Sequence, residues 1–213
     1  MTIDEPRCIH RHSIKTHPNC FRKGLVKRAD WYKDKKIAYF DIEVSDLKAN
    51  FGHMLSWCLK YKDDPKIKSG VITKEELFNY KFDKRITQEA IEELKNVDIL
   101  VTYFGRGFDV PFLRTRALYY DLEFPHYGSL VHWDLYYHVK RHLKVHRKSL
   151  DVVTNFFGIS GKTHIDWEVW VRAKYGDPKA LKEVLYHNEQ DVIILEKLHN
   201  KLGVFSKWIR SSI

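Results

Sequence analysis

The segment Ile37-Ala38-Tyr39-Phe40-Asp41-Ile42-Glu43-Val44 is apolar at every position except the two acids. A run this rich in β-branched and aromatic residues reads as a buried strand. A strand sends residues two apart to the same face, so Asp41 and Glu43 project together while Phe40 and Ile42 point the other way. Two carboxylates side by side repel, and a hard divalent cation such as Mg²⁺ or Mn²⁺ relieves that repulsion through oxygen ligation. A solvated acidic strand face is the plainer alternative.

Working outward, residues 54–59 and 70–73 read as two further strands, which makes a meander with the first. Residues 86–97 carry apolar side chains at 86, 90, 91 and 94, the spacing of an amphipathic helix, and lead into a buried strand at 98–103. Beyond Pro111 the pattern is helical over 112–120, 135–143, 150–157 and 178–202, with Gly158 placed as a helix-ending glycine. Strands followed by interleaved helices predict an α/β fold with a mixed sheet flanked by helices. Residues 1–35 have no sustained hydrophobic period and read as an extension; residues 36–213 form the expected domain.

Two more groups of chemistry-bearing residues lie along this domain. In Gly105-Arg-Gly-Phe-Asp109-Val-Pro111 the strand at 98–103 gives way to a glycine-bearing turn and a helix, which makes Asp109 an N-cap with proline in the first turn, a metal ligand, or both. In His187-Asn188-Glu189-Gln190-Asp191 helical spacing stacks an imidazole one turn from a carboxylate. This pair suits a metal-binding Asp beside a His that orients or deprotonates water, and a surface ion pair is the alternative. Asp134 and Asp151 read as caps or surface groups.

Asp41-x-Glu43, then Asp109, then His187-x-x-x-Asp191 together resemble the DEDD (DnaQ-like) 3′–5′ exonuclease superfamily of the ribonuclease H-like fold. The resemblance is nearest to the family B DNA polymerase proofreading domains and the YprB-type proteins. It is carried by Phe40-Asp-Ile-Glu43, Gly105-x-x-Phe108-Asp-x-Pro-Phe112, Ser149-Leu-x-x-Val153 with Phe157-Gly-Ile-x-Gly-Lys162, and Asn188-x-x-Asp-Val192. It implies two-metal phosphodiester hydrolysis with two Mg²⁺ or Mn²⁺ ions. Asp41, Glu43 and Asp191 would hold the ion that activates water, Asp41 and Asp109 the ion at the leaving oxygen, and His187 would serve the attacking water.

The chain departs from that branch in two places. Tyr103-Phe104-Gly105 stands where Tyr-Asn-Gly is common, which removes a substrate-positioning amide. The superfamily places a Tyr four residues before the last Asp or a His five before it; here His187 is four before and Tyr186 five before. Their directions differ by about 100° around a helix, and His187 is the choice, with Tyr186 the alternative.

Composition is consistent with this reading. The 213 residues carry 37 Lys and Arg against 28 Asp and Glu, a formal charge of +9 that favours a polyanionic partner, DNA or RNA. Residues 138–148 concentrate Lys140, Arg141, Lys144, Arg147 and Lys148 after Trp133, Tyr136 and Tyr137. Arg141, Lys144, Lys148 and Lys162 are the candidate phosphate contacts, with nearby rings for stacking on single strands or 3′ ends; a solvated helix face, and for Lys162 a surface lysine, are the alternatives. No apolar stretch is long enough to cross a membrane, and the N-terminus lacks a signal-peptide layout, so a soluble cytoplasmic protein is expected. Cys58 reads as a small buried hydrophobe.

In the extension, Cys8, His10, His12, His17 and Cys20 offer a tetrahedral zinc site from Cys8, His17, Cys20 and either His10 or His12; a flexible basic arm is the other reading. The functional expectation is a stand-alone 3′–5′ exonuclease. A structure-specific endonuclease on the same acids, or a nucleic-acid-binding module without catalysis, are the other classes.

Overall fold

A computed structural model describes residues 35–126 and 128–203, with short stretches outside them: residues 7–8, 13, 15–16, 18–19, 26–27 and 211–212. The chain forms two compact units, Met1–Lys35 and Lys36–Ile213. In the first, strands β1 (Arg7–Cys8) and β2 (Val26–Lys27) pair antiparallel. Cys8 is described as strand backbone, whereas His10, His12, His17 and Cys20 of the zinc reading lie outside the described residues.

The second unit opens with β3 (Ile37–Val44), β4 (Met54–Tyr61) and β5 (Ile67–Val71), the expected meander. Helices α1 (Lys74–Phe78) and α2 (Lys84–Leu94) follow, then β6 (Ile99–Thr102), α3 (Asp109–Tyr119), β7 (Val131–Asp134) and α4 (Leu135–His142). Helices α5 (Leu150–Phe156), α6 (Trp167–Lys174) and the long α7 (Pro178–Leu202) come next, and β8 (Ser211–Ser212) is the last strand described. Gly158 ends α5 at φ +69°, as its position suggests.

The sheet order is β5-β4-β3-β6-β7-β8. β3 pairs antiparallel with β4 and parallel with β6, so it is a central strand of a mixed sheet. Alternation along β3 builds two different faces. Ala38, Phe40 and Ile42 enter a core that includes Ile86, Ala90, Ile91 and Leu94 of α2 and Val110, Leu113 and Ala117 of α3. Tyr39, Asp41 and Glu43 face α7 instead: the Tyr39 hydroxyl lies 2.9 Å from His199 Nδ1, and Asn188 Nδ2 donates to Asp41 Oδ2 at 2.6 Å. On β4, Lys60 opposite Tyr39 pairs with Glu196, and Ser56 opposite Glu43 donates to Asn188 Oδ1 at 3.3 Å. Helix and strand thus run side by side in opposite directions. The core face of the sheet stabilises the fold through area removed from water, at roughly 25 cal/mol per Å²; the α7 face holds the polar groups. Cys58 is fully buried opposite Asp41. Among the described residues, no helix is long and apolar enough to cross a membrane.

Candidate active site

β3 presents Asp41 and Glu43 from the middle of the sheet, just before its pairing with β4 shifts register between Glu43 and Val44. α7 supplies the opposing wall. Its start is fixed by Asp177, whose side chain accepts from Ala180 N at 2.8 Å, with proline next in the chain. That start sets which residues face β3 ten and more positions later. His187, Asn188 and Asp191 turn inward and are buried, while Tyr186 is 55% exposed. Of the two alternatives, the helix therefore carries His187 to the acids.

His187 Nε2 lies 3.6 Å from Glu43 Oε1 and 4.0 Å from Asp191 Oδ2. Its other nitrogen, Nδ1, is 2.5 Å from Thr163 Oγ1, and the ring packs edge-on against Trp170 with centroids 6.2 Å apart. In the tautomer that donates Nδ1–H to Thr163, the Nε2 lone pair faces the acids. Asp191 Oδ2 pairs with Lys162, and its Oδ1 is buried with no hydrogen-bond partner among the described residues. Lys162 is thus neither a surface lysine nor free for phosphate in this arrangement.

Asp109 reaches the cluster from α3. It is the first residue of that helix rather than its N-cap; Phe108 occupies the cap position and makes no side-chain cap bond. The Asp109 carboxylate accepts from Ile42 N at 3.1 Å instead, the amide between Asp41 and Glu43. A buried charge-assisted bond of this kind is worth more than an exposed cap, which explains why the N-cap expectation fails. Asp134 is a cap, for α4 through Tyr136 N at 3.0 Å, but it is buried and also accepts from Phe104 N at 2.8 Å and Arg106 N at 2.9 Å. It therefore holds the turn that leads to Asp109. Asp151 remains at the surface, bonded to Asn155 Nδ2 at 2.9 Å.

These placements carry an electrostatic cost. Burial raises the Asp41 carboxyl well above the usual carboxylate range, and Asp109, Glu43 and Asp191 push it further while Lys162 opposes them. Glu43 is pushed up to about 8, chiefly by burial and then by Asp191. Asp109 rises to about 7 through burial, against the lowering effect of the Ile42 amide. Burial lowers His187 despite Asp191, which keeps its imidazole neutral near pH 7.

The donor set fits a divalent cation. Ligand atoms of Glu43, His187 and Asp191 all lie within 4.8 Å of one another, hard carboxylate oxygens predominate, and the orphaned Asp191 Oδ1 is an acceptor without a donor. Asn188 and Thr163 were not among the sequence candidates. Asn188 had a signal, since it lies three residues before Asp191 on the same helical face; Thr163 had none.

The basic residues separate from this cluster. α4 stops at His142, and Leu143 turns extended, so residues 138–148 are not one helix. Like charges four apart at Lys140, Lys144 and Lys148 weaken its continuation. Arg141 and Lys144 are exposed, and Lys148 is half-buried with Nζ donating to Val145 O at 3.1 Å.

The chain is similar to several named proteins. A DNA polymerase of Methanocaldococcus jannaschii is 34% identical over 99 residues, which cover 37% of this chain and 6% of that protein. Bacillus subtilis YprB is 28% identical over 186 residues, 80% of this chain and 43% of YprB. The family B DNA polymerase of Pyrobaculum calidifontis superposes with a TM-score of 0.69 at 21% identity, covering 85% of this chain and 26% of the polymerase, and shows the same fold. The chain thus spans less than half the length of each. The RNase H superfamily model matches residues 38–203, from the strand bearing Asp41 and Glu43 to the end of α7, and the chain belongs to that superfamily.

Proposed function

We propose that this protein is a divalent-metal-dependent nuclease that hydrolyses nucleic-acid phosphodiesters, and that it removes nucleotides from 3′ ends. The observation that carries the reading is the convergence of Asp41, Glu43, Asp109, Asp191 and His187 from three separate elements, with half-buried and buried acids held together at an electrostatic cost and Glu43, His187 and Asp191 close enough to share one ion. Strained electrostatics of this kind concentrate where chemistry is done. Similarity to a DNA polymerase supports a nucleic-acid substrate, and the resemblance to the DEDD exonucleases alone carries the 3′ polarity.

Asp41, Glu43 and Asp191 would hold one cation, and Asp41 with Asp109 a second; when bound, the ions supply Lewis acidity for the water and the leaving 3′-oxygen. The chain's own groups do the rest. Asn188 fixes the Asp41 carboxylate by donating to Oδ2, leaving Oδ1 for ligation. The Ile42 amide fixes Asp109 in the same way. His187, oriented by Thr163, offers Nε2 to take a proton from the attacking water. Lys162 holds the Asp191 site as a counter-charge and is positioned to turn to a substrate phosphate once that charge is met by a cation.

The test uses 5′-labelled and internally labelled DNA and RNA, single-stranded and duplex, with Mg²⁺, Mn²⁺ or EDTA. A metal-dependent ladder shortening from the 3′ end, abolished in Asp41→Ala while the protein stays folded, is the expected result. Discrete internal cuts would assign an endonuclease, and binding without cleavage a non-catalytic module. Activity retained in Asp41→Ala would overturn the ligand assignment.

A further inference from the structure

The turn between β6 and α3 holds an aromatic ring outward by means that a purely structural loop does not need. Phe104 has a left-handed backbone, φ +67°, a conformation that costs a residue with a Cβ roughly 1–2 kcal/mol. The turn is held regardless: the buried Asp134 carboxylate accepts from both Phe104 N and Arg106 N. The ring lies directly on Gly107, where an added Cβ would sit 2.5 Å from the ring's Cζ atom and would push the ring from this position. Phe104 meets Tyr136 edge-on at 4.8 Å and Tyr137 at 6.1 Å, and the Arg106 guanidinium lies 5.5 Å above the Tyr137 ring. After all this packing Phe104 is still 41% exposed and Tyr137 39%.

Two observations say what would cover these rings. The first is charge: Lys140, Arg141, Lys144 and Arg147 are exposed on the adjoining segment, and that segment is tied to the turn by the Tyr103 hydroxyl, which donates to Lys148 O at 2.6 Å. The second is position. Phe108 N donates to Phe104 O at 3.0 Å and Val110 N to Gly105 O at 2.9 Å, so the turn runs without slack into α3, whose first residue is Asp109. A flat apolar ring, a guanidinium and a row of cations beside an acid cluster match a stacked base with its phosphates, not an apolar protein segment.

We infer that Phe104, with Tyr137 and Arg106 beside it, is a stacking platform for an unpaired nucleobase of the bound strand, one that grips the base by its face. Stacking tolerates any base, so this platform confers strand-end capture without sequence preference. The inference rests on the nuclease reading for the platform's place beside the cut, but the binding itself is measured without hydrolysis.

The experiment takes the full chain with Ca²⁺ in place of Mg²⁺, and short single-stranded DNA and RNA bearing 2-aminopurine at the 3′-terminal position. Wild type is expected to quench the probe on binding. Phe104→Ala should weaken affinity by about 5- to 150-fold, the range that loss of one stacked base produces, and leave the probe bright. Phe104→Trp should restore both readouts. With a strand lacking its 3′-terminal base, wild type and Phe104→Ala should bind alike. Phe104→Gly separates binding from folding, because glycine adopts the left-handed turn without strain; it should unfold at a temperature close to wild type and still lose affinity. Equal affinity in wild type and Phe104→Ala, a bright probe in the wild-type complex, or no binding at all would overturn the inference. If wild type binds and quenches but never cleaves with Mg²⁺ or Mn²⁺, the nuclease reading fails and the platform stands; cleavage with a Phe104→Ala affinity equal to wild type sinks the platform alone.

Discussion

Asp83 and Asp191 are both buried carboxylates in one domain, 0% and 7% exposed, and their surroundings differ in kind. Asp83 accepts from Met54 N at 2.7 Å, from Arg116 Nε at 3.0 Å, from Arg116 Nη2 and from the Tyr120 hydroxyl at 2.6 Å. Arg116 Nη1 in turn donates to Ala49 O at 3.0 Å, so the network fastens α3 to the β3–β4 connection. Asp191 has one cation on one oxygen, nothing on the other among the described residues, and two further carboxylates, Asp41 and Glu43, close enough to repel. A charge buried for structure is neutralised and its lone pairs are filled. A charge buried beside its own kind, with an oxygen left over, is arranged to receive something.

The largest effect should come from breaking the satisfied network. Asp83→Ala strands a buried guanidinium and is expected to cost about 3–5 kcal/mol in urea unfolding. Asp41→Asn, which removes a like charge from the other cluster, should leave the metal-free protein as stable as wild type or more so. If both variants lose stability equally, the two regions are not built on different principles and the contrast fails.

His187→Gln probes the unsatisfied region more gently. Glutamine fits the helix but offers no basic nitrogen, so turnover should fall about hundredfold, toward the lower end of what a positioned general base supplies, with stability nearly unchanged. Thr163→Val, which frees the ring without removing it, should give a smaller loss of the same sign. A rate equal to wild type in His187→Gln would show that the imidazole only fills space between Trp170 and Glu43.

How far the sequence revealed these two regions depends on whether the information is local. The bounds of β3 and α7 are readable residue for residue, because β3 is a continuous apolar run interrupted only by its two acids and α7 begins with a capping Asp177 before proline and keeps its period to Leu202. The acids of the candidate site were readable from strand parity and helical spacing. β7 was not, since four residues are too few to show a period, and α6 begins straight after an irregular segment. The duty of Asp83, and that of Asp134 beyond its cap, depend on which elements meet, and nothing within a few residues of each announces it. The helical period over 135–143 does predict α4, which ends at His142 within the basic run.

The smallest effect sharpens the contrast through pH. Glu43 has an ordinary value near 4.5 and is held at about 8 in the folded protein, and Asp41 and Asp109 shift in the same direction. Across that range the folded cluster binds more protons than the unfolded chain, while burial lowers His132, His138 and His199 and works the other way until the free imidazole has lost its proton near 6.5, so stability should fall as pH rises from about 6.5 to about 8. Thermal unfolding without divalent ions should therefore move down across that window, by about 2–4 °C for each kcal/mol lost in a chain of this size. Adding Mg²⁺ or Mn²⁺ at the alkaline end should recover the loss, because a cation that binds only the folded state stabilises it by mass action. In Asp41→Asn the slope should be shallower and the recovery smaller. A melting temperature flat with pH, or one that rises as the acids ionise, would mean that the carboxylates are already compensated, and the distinction between the two buried clusters would disappear.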